Sequence, residues 1–440
     1  MNTMTKTVLE KAREQGIIPE TRPIMPMAHI SSAELYLTLY CNDNCLHCIT
    51  DSGGDRKEMM SPEDAHKVIA NIAKYSILEP LRKLYGNGDY RFTPPPQCNQ
   101  LDEMKKPPDK LTYSLIQTYS ACAVGHGCVS EWITAEGTFR LNFRKPAIRL
   151  SGGEFFMWPR SLNGKILSED ERLHFQQELI RQIRSELPIY DLWILTNGRF
   201  ATDQKRADNV LRHWAKYADT SNSESKVRVC MSVDVFHRPP SGSTITDMLQ
   251  RIWKSSWKYG FMAPHLYGAP NQSVALLGRA IENFNPGKMQ KSEIENVSQS
   301  SFNPFTYLMV DPLDLVECGG CQETKGFVVG HGESKLLGHN IFVGPSGDMV
   351  YCCACLSSYG DFVNDPRQCL HNIVTDPLAC ALRRKDTVIP LLKLAAELDP
   401  TIRVFGTGEH KEVTGSTCYQ LLSGKRLHSK HGKQNMVKLT

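Results

Sequence analysis

The sequence predicts an α/β fold: a partial (β/α)6 TIM-like barrel with a long insertion and a small cysteine-rich C-terminal accessory domain. Apolar strand candidates alternate with amphipathic helix candidates, which is typical of parallel strands joined by helices. Six such units are expected over residues 35–312, and a proline-rich stretch interrupts them after the first helix. Cysteines become frequent from Cys318 onward. We expect an N-terminal extension over 1–34, an accessory region over 313–385, and a C-terminal helix and basic tail over 386–440.

Composition and charge restrict the function classes. The chain has 440 residues, of which 41% are hydrophobic and 22% charged, as expected for a soluble globular protein. The net charge of +4 is small and nucleic-acid-binding signatures are missing, so no nucleic-acid partner is expected. No apolar run is long enough to span a membrane, and residues 1–18 show no secretory signal, so no membrane association is expected. Fifteen cysteines without such a signal predict a cytoplasmic protein that uses cysteine for metal binding, reactive groups or buried thiols rather than disulfides.

Helix and strand candidates follow from periodicity and capping signals. Ser61, with a proline next and acidic residues in the first turn, predicts a helix start, and Ser168 to Glu171 has the form of a capping box. Apolar or alternating runs predict the strands. The strand candidates are Leu35–Tyr40, Ala147–Leu150, Leu192–Leu195, Val227–Val235, Phe261–Tyr267 and Thr306–Val310, and further helix candidates are Thr5–Gln15, Ala207–Tyr217, Thr246–Trp257 and a helical segment from Asp376 to Leu398.

Residues 80–146 break the alternation of strands and helices. Two proline runs indicate extended or turn structure, and a hairpin is predicted around Glu136 and Gly137. The connection is unusually long for a helix followed by a strand. We therefore expect an insertion that carries substrate specificity, and a passive surface elaboration is the alternative.

Three cysteines follow the first strand candidate at the spacing C-x3-C-x2-C: Cys41, Cys45 and Cys48. Thiolates are soft ligands that select iron–sulfur clusters or zinc. Three of them on one tight loop can hold three corners of a cubane cluster, which leaves the fourth iron open to another molecule. The alternatives are a zinc site or unrelated core cysteines.

The cysteine motif, together with Gly152-Gly153-Glu154 at the end of a later strand, resembles the radical S-adenosylmethionine (SAM) superfamily. The resemblance implies that a [4Fe–4S] cluster on these cysteines binds SAM through its open iron, with Gly152, Gly153 and Glu154 at the methionine amino group. His47 stands where the superfamily usually has an aromatic residue. The resemblance also implies the partial barrel, with active groups at the carboxyl ends of the strands.

Polar residues at the ends of the third and fourth strands are further SAM-binding candidates. Thr196 and Asn197 resemble a recurrent superfamily motif beside the cofactor, and an ordinary strand-to-helix turn is an equally good interpretation. In related enzymes, polar residues at the positions of Ser232 and Asp234 face the cofactor ribose or carboxylate. Cys230 shares their face because strand side chains alternate. It is a candidate hydrogen-atom donor to a substrate radical, and a small core residue is the alternative.

A second metal site is predicted near the C-terminus. Two C-x2-C pairs can supply four thiolates, which suit an auxiliary [4Fe–4S] cluster or a structural zinc equally well. The segment Gly347 to Cys352 and the later Leu370 to Ile373 resemble the SPASM or twitch accessory region, which favours the iron–sulfur cluster. The expected ligands are Cys318, Cys321, Cys352 and Cys355, with Cys353 or Cys369 as substitutes.

The resemblance implies an enzyme that cleaves SAM reductively to a 5′-deoxyadenosyl radical, which abstracts a hydrogen atom from the substrate. A flavodoxin- or ferredoxin-type electron donor is implied as a partner. We expect a peptide or peptide-like substrate, because the resembling accessory regions are frequent in peptide-modifying enzymes. The alternatives are dehydrogenation or epimerisation of a small metabolite such as a sugar or nucleoside, and a non-catalytic cysteine-rich metal-binding protein.

Overall fold

The computed structural model describes residues 3–17, 29–45, 48, 50–93, 106–109, 129–141, 146–218, 227–232, 237, 240–267, 279, 327–328, 335–336, 338–350, 358–375, 385–401, 405–406, 412–413 and 421. In chain order the strands are β1 (His29–Thr38), β2 (Gly88–Thr93), β3 (Val129–Thr134), β4 (Gly137–Leu141), β5 (Ala147–Gly152), β6 (Ser161–Leu162), β7 (Lys165–Ile166), β8 (Asp191–Thr196), β9 (Val227–Ser232), β10 (His265–Tyr267), β11 (Phe327–Val328), β12 (Lys335–Leu336), β13 (Gly338–Val343), β14 (Asp348–Val350), β15 (Ser358–Asp361), β16 (Phe405–Gly406) and β17 (Glu412–Val413). The helices are α1 (Thr3–Glu14), α2 (Pro62–Lys74), α3 (Leu78–Tyr85), α4 (Glu169–Glu186), α5 (Gln204–Ala215), α6 (Ile245–Lys258), α7 (Pro366–Thr375) and α8 (Lys385–Leu398).

The largest sheet has eight strands in the order β10-β9-β8-β5-β1-β13-β14-β15. Neighbours from β10 to β13 pair in parallel, whereas β14 and β15 are antiparallel. The predicted α/β fold with a parallel sheet is therefore confirmed, and closure into a partial barrel stays a prediction. Because β1, β5, β8, β9 and β10 are parallel neighbours, their carboxyl ends meet along one edge of the sheet.

The predicted helix starts are confirmed by their caps. The Ser61 hydroxyl accepts a hydrogen bond from the Asp64 backbone N–H at 3.0 Å, at the start of α2. Ser168 and Glu171 form a complete capping box at the start of α4, and a second capping box starts α6. Each cap satisfies a backbone N–H group that has no partner within the helix, and it stabilises the helix by about 1 kcal/mol.

One face of the parallel sheet packs against the helices. Leu35, Leu37 and Leu150, on alternate positions of β1 and β5, are fully buried in one cluster with apolar residues of α2 and α4. Trp214 of α5 and Ile252 of α6 belong to the same cluster. Burial of each such side chain stabilises the fold by about 1.5–3 kcal/mol. The intervening side chains of each strand lie on the opposite face.

The predicted insertion contains regular structure. The hairpin expected there is confirmed, since β3 and β4 pair antiparallel on either side of Glu136. β2 adds a third strand, which the sequence does not predict. Trp132 is buried in this small sheet, and its indole N–H donates to the Gly86 carbonyl at 3.2 Å. That hydrogen bond ties the sheet to the end of α3.

Other elements differ from the sequence prediction in their extent. The strand expected over 261–267 is regular only over His265–Tyr267. The sequence analysis does not include α7, although Asp365 caps it by accepting a hydrogen bond from the Gln368 N–H at 3.2 Å. Helix α8 begins at Lys385, after the expected cap at Asp376. Asp376 and the strand candidate Thr306–Val310 lie outside the described residues. Within the described ranges, no helix combines the length and apolar character needed to cross a membrane.

Strands from the predicted accessory region join the main sheet. β13 pairs in parallel with β1, from His29 opposite Gly338 to Leu35 opposite Val343, and β14 and β15 continue the sheet. Residues 338–361 therefore extend the sheet beyond β1. The division of the chain into a barrel and an accessory domain stays a prediction.

Candidate functional site

The loop that carries the three motif cysteines begins where β1 ends. Cys41 and Cys45 are buried, and Cys48 is half-buried. The Cys41 N–H donates to the Gly53 carbonyl at 3.1 Å, and the chain from 53 to 60 returns alongside the end of β1. The base of the loop is thus closed by backbone hydrogen bonds. His47 lies outside the described residues.

Polar groups lie next to two of the three sulfur atoms. The Ser52 backbone N–H donates to Cys48 Sγ at 3.2 Å, and the Thr50 hydroxyl oxygen lies 3.5 Å from the same sulfur. The Asn197 side-chain amide, at the end of β8, donates to Cys41 Sγ at 3.6 Å. Such donors stabilise negative charge on a metal-bound sulfur and tune the metal.

The Gly152-Gly153-Glu154 segment lies directly against the start of the cysteine loop. The Gly153 N–H donates to the Thr38 carbonyl at 2.5 Å, and the Glu154 N–H donates to the Tyr40 carbonyl at 3.0 Å. A Cβ atom on Gly152 would collide with the Thr38 carbonyl oxygen, and one on Gly153 with the Tyr40 backbone. Gly152 also has a φ of +112°, which disfavours other residues. Both glycines are therefore needed for the close approach of two backbone segments.

The Glu154 carboxylate joins the ends of two neighbouring strands. It is buried and accepts hydrogen bonds from the Thr196 hydroxyl at 2.8 Å, the Asn197 N–H at 2.8 Å and the Phe156 N–H at 3.1 Å. Burial raises the pKa of Glu154, and these hydrogen bonds oppose the rise. The predicted candidates Glu154, Thr196 and Asn197 thus form one connected network beside the cysteine loop.

Two residues that the sequence analysis missed extend this network. The Asn197 amide donates to the Asn42 side-chain oxygen at 2.8 Å, and Arg199 donates to the Asn42 backbone carbonyl. Arg199 also lies 3.7 Å from one carboxylate oxygen of Asp43. Asn42 falls inside the cysteine motif, and Arg199 follows the Thr196-Asn197-Gly198 turn. Their closeness in sequence to the two motifs is the signal that would have found them.

Arg279 holds the cysteine loop from a distant part of the chain. Its guanidinium donates to the Cys45 carbonyl at 3.0 Å and to the Ser52 carbonyl at 2.6 Å, and it pairs with Asp51 at 3.1 Å. Its backbone N–H donates to the Cys48 carbonyl at 2.9 Å. Arg279 thus fixes the loop on both sides of Cys48. No sequence pattern predicts this role.

Strand β9, the fourth strand of the predicted barrel, carries two more candidates, Cys230 and Ser232, on one face of the sheet. Ser232, the last residue of β9, is half-buried, and Cys230 is buried two positions earlier. Burial raises the pKa of Cys230 to about 12. Asp234 lies outside the described residues.

The predicted auxiliary site falls largely outside the described part of the chain. Its expected ligands and the substitute Cys353 are not described; these are Cys318, Cys321, Cys352, Cys353 and Cys355. Cys369 is described: it lies in α7, is buried, and has its pKa raised to about 12 by burial.

The donors at the cysteine loop fit an iron–sulfur cluster. Burial, and next the Glu154 carboxylate, raise the pKa of Cys41 to about 12, so the positive charge of bound metal is needed to keep its thiolate. Soft ligands, N–H donors and an enclosed loop together suit a cluster.

No protein-family model matches the chain, and no curated protein matches its sequence. Several solved structures are similar to it. Streptococcus suis SuiB bound to precursor peptide SuiA is 9% identical over 86% of this chain and 70% of that chain, with a TM-score of 0.30. Native anSMEcpe with bound AdoMet and Cp18Cys peptide is 11% identical over 83% and 96%, with a TM-score of 0.33. SuiB bound to S-adenosylmethionine is 10% identical over 86% and 71%, with a TM-score of 0.22. These neighbours are radical SAM enzymes, the superfamily predicted from the sequence.

Proposed function

We propose that this chain is a radical SAM enzyme that holds a [4Fe–4S] cluster on Cys41, Cys45 and Cys48 and abstracts a hydrogen atom from a peptide or peptide-like substrate. When bound and reduced, the cluster supplies the electron that cleaves SAM to methionine and a 5′-deoxyadenosyl radical. The residues of the chain supply position, hydrogen bonds and an enclosed site. A flavodoxin- or ferredoxin-type protein is the proposed electron donor.

The meeting of two separate motifs supports the proposal. Gly153 and Glu154 donate backbone hydrogen bonds to the carbonyls of Thr38 and Tyr40, immediately before Cys41. Backbone packing against the cysteine loop accounts for the two glycines, but a structural metal site or an electron carrier needs no buried carboxylate at that point. A site for the amino acid part of SAM does, because a carboxylate favours a bound ammonium.

Further residues along the same edge are proposed to bind SAM. The charge of the Glu154 carboxylate favours the methionine ammonium group, and hydrogen bonds from Thr196 and Asn197 hold the Glu154 carboxylate in place. Ser232, at the end of β9, is proposed to contact the ribose or the carboxylate of SAM. His47, Asp234 and the auxiliary cluster ligands are proposed from the sequence alone.

Cys230 supports a second candidate reaction, epimerisation. Because burial raises its pKa to about 12, this thiol keeps its proton at neutral pH. A substrate carbon radical can take the hydrogen atom of the S–H bond, which leaves a thiyl radical. One electron from the external donor and one proton from solvent restore the thiol. An auxiliary cluster held by the predicted C-terminal cysteines would supply an electron acceptor, and the reaction would then be a net oxidation.

The test is an anaerobic reconstitution with iron and sulfide, followed by SAM and a strong reductant. We expect bound iron, a cluster EPR signal that changes on addition of SAM, and formation of 5′-deoxyadenosine. Cys41→Ser should lose the SAM-dependent signal. Cys418→Ser is the matched control, because Cys418 has no predicted ligand role, and it should behave as the unchanged protein.

The iron content separates the remaining alternatives. About eight irons per chain indicate two [4Fe–4S] clusters, whereas about four irons with bound zinc indicate a structural auxiliary site. A cluster-loaded, reduced protein whose EPR signal is unchanged by SAM would be a non-catalytic metal protein, and the proposal would be wrong.

A further inference from the structure

The sheet face opposite the helices carries a row of charged and aromatic side chains. Glu34, Arg149, Trp193 and Arg228 occupy one register level across β1, β5, β8 and β9. Neighbouring strands lie about 4.8 Å apart, so the row spans about 14 Å. In barrels the interior is normally filled by layers of branched apolar side chains. These four are half-buried and polar or amphipathic, which indicates a binding surface rather than a packed layer.

Arg149 is oriented by its neighbours. Its guanidinium lies over the Trp193 ring, 5.3 Å from the ring centroid. Glu34 interacts with Arg149 by charge, whereas the Glu34 carboxyl takes its hydrogen bonds from Ser151 and Tyr36. Burial also raises the pKa of Glu34, which weakens it as a counter-charge. A guanidinium stacked on a ring presents its N–H edge to a planar acceptor that can take two parallel hydrogen bonds.

Arg228, on β9, lies on the same face of the sheet as Arg149 and influences the same histidine. Burial, and then Arg228 and Arg149, lower the pKa of His265 to about 3, so both guanidinium groups lie close enough to influence one ring. That ring packs on Trp193 with centroids 5.3 Å apart. Asp191 lies on the same face of β8, two residues before Trp193 and further from the cysteine loop. Arg149 on β5 and Arg228 on β9 therefore flank Trp193 on one face of the sheet, and the neutral His265 packs against the same ring.

The row lies deeper than the proposed SAM site. From Arg228 the same face continues through Cys230 to Ser232 at the strand end. Four residues of parallel strand advance about 13 Å. The arginines therefore lie well below the edge where SAM would meet the open iron, and Cys230 lies between the two levels.

We infer that Arg149 and Arg228 anchor a carboxylate of the substrate, and that this contact holds the reacting carbon near Cys230. The inference rests on the proposed function, since it names the substrate class of the same site. A carboxylate matches the planar donor edge of arginine, and in a peptide it comes from an acidic side chain or from the C-terminus.

Three blocked tripeptides test the inference by titration calorimetry on the reconstituted, SAM-loaded protein. Ac-Ala-Glu-Ala-NH2 and Ac-Ala-Gln-Ala-NH2 differ only in one charge, and Ac-Ala-Ala-Ala-OH carries the charge at its C-terminus. We expect one of the two acidic peptides to bind about tenfold more tightly than the Gln peptide, as expected for hydrogen bonds to a charged group. Which acidic peptide binds more tightly identifies the source of the carboxylate.

Variants test whether the preference for an acidic peptide comes from the charged row. Arg149→Gln and Arg228→Gln should each remove most of the tenfold preference, and Arg149→Lys should keep part of it because the charge remains. Glu34→Gln should strengthen binding of the acidic peptide, an effect that a merely structural arginine row would not produce. Arg212→Gln, on the exposed side of α5, is the matched control and should change nothing.

Four results would overturn the inference. They are equal binding of acidic and neutral peptides, a preference that survives both Gln variants, tighter binding of inorganic phosphate than of either acidic peptide, and loss of the SAM-dependent EPR change in the Gln variants. The last would assign the arginines to the carboxylate of SAM itself. An arginine-dependent preference for an acidic peptide in a protein that forms no 5′-deoxyadenosine would support the carboxylate site and contradict the proposed function.

Discussion

A methyl group added at Gly153 tests whether the diglycine segment is needed for its close approach to the cysteine loop. The Cβ atom would lie 2.6 Å from the Tyr40 carbonyl carbon and 2.9 Å from that of Leu39, whereas ordinary contacts begin at 3.4 Å. The Tyr40 carbonyl oxygen would lie closer still, so the loop backbone must move by more than about 0.8 Å. Overpacking of this kind costs about 1–3 kcal/mol.

We expect Gly153→Ala to lower the free energy of unfolding by about 2 kcal/mol in urea titrations of the metal-free protein. Gly54→Ala is the matched control, because its Cβ would lie 3.8 Å from the Cys41 carbonyl oxygen, an ordinary contact. Its effect should stay within about 0.5 kcal/mol. Since the collision displaces the segment before Cys41, Gly153→Ala should also retain less iron after reconstitution. Equal unfolding midpoints for the two variants would refute the reasoning.

Glu154, Asn197 and Arg279 give three further predictions. Burial raises the pKa of Glu154 above 4.5, so its contribution to stability is full below pH 4.5 and is lost as pH rises through the raised value. In urea titrations from pH 5 to 8, the free energy of unfolding of the unchanged protein minus that of Glu154→Gln should fall. The same difference taken against Glu58→Gln, which replaces a carboxyl with a pKa of about 2, should stay constant. Asn197→Ala removes a donor to Cys41 Sγ and should lower the cluster reduction potential in an EPR-monitored titration; an unchanged potential would count against that contact. Arg279→Gln removes hydrogen bonds to loop carbonyls and should speed hydrogen exchange in the cysteine loop, and unchanged exchange rates would contradict the proposed role.

Local signals in the sequence predict much of the sheet and its helices. Ser61 and Ser168 mark helix starts because their hydroxyl groups satisfy backbone N–H groups within three residues, an interaction that needs no tertiary contact. The order β1, β5, β8 and β9 follows from the alternation of strands and helices, since sequential parallel strands usually become neighbours. The nearness of the cysteine loop to Glu154 follows from the same rule.

Contacts between distant parts of the chain leave no local pattern. Arg279 donates to the Cys45 carbonyl across 234 residues, and nothing around it in the sequence marks this partner. The pairing of β13 with β1 is equally hidden, because either edge of the sheet offers the same backbone donors and acceptors. The collision that requires Gly153 is also a tertiary property: the diglycine motif suggests close approach, but the sequence does not say whether ligand or backbone approaches it.

The alternation of polar and apolar residues within the strands carries more information about function than the positions of the strands in the chain. Strands buried on both faces of a parallel sheet read as continuous apolar runs. β5 and β9 instead alternate, with Arg149 and Arg228 between apolar residues that pack against the helices. In an antiparallel sheet such alternation means that one face meets solvent. Here the polar face includes the buried Cys230 and the half-buried Trp193, at levels below the cysteine loop. Charged residues at alternate positions of these parallel strands therefore support the carboxylate site proposed on this face, independently of any cofactor motif.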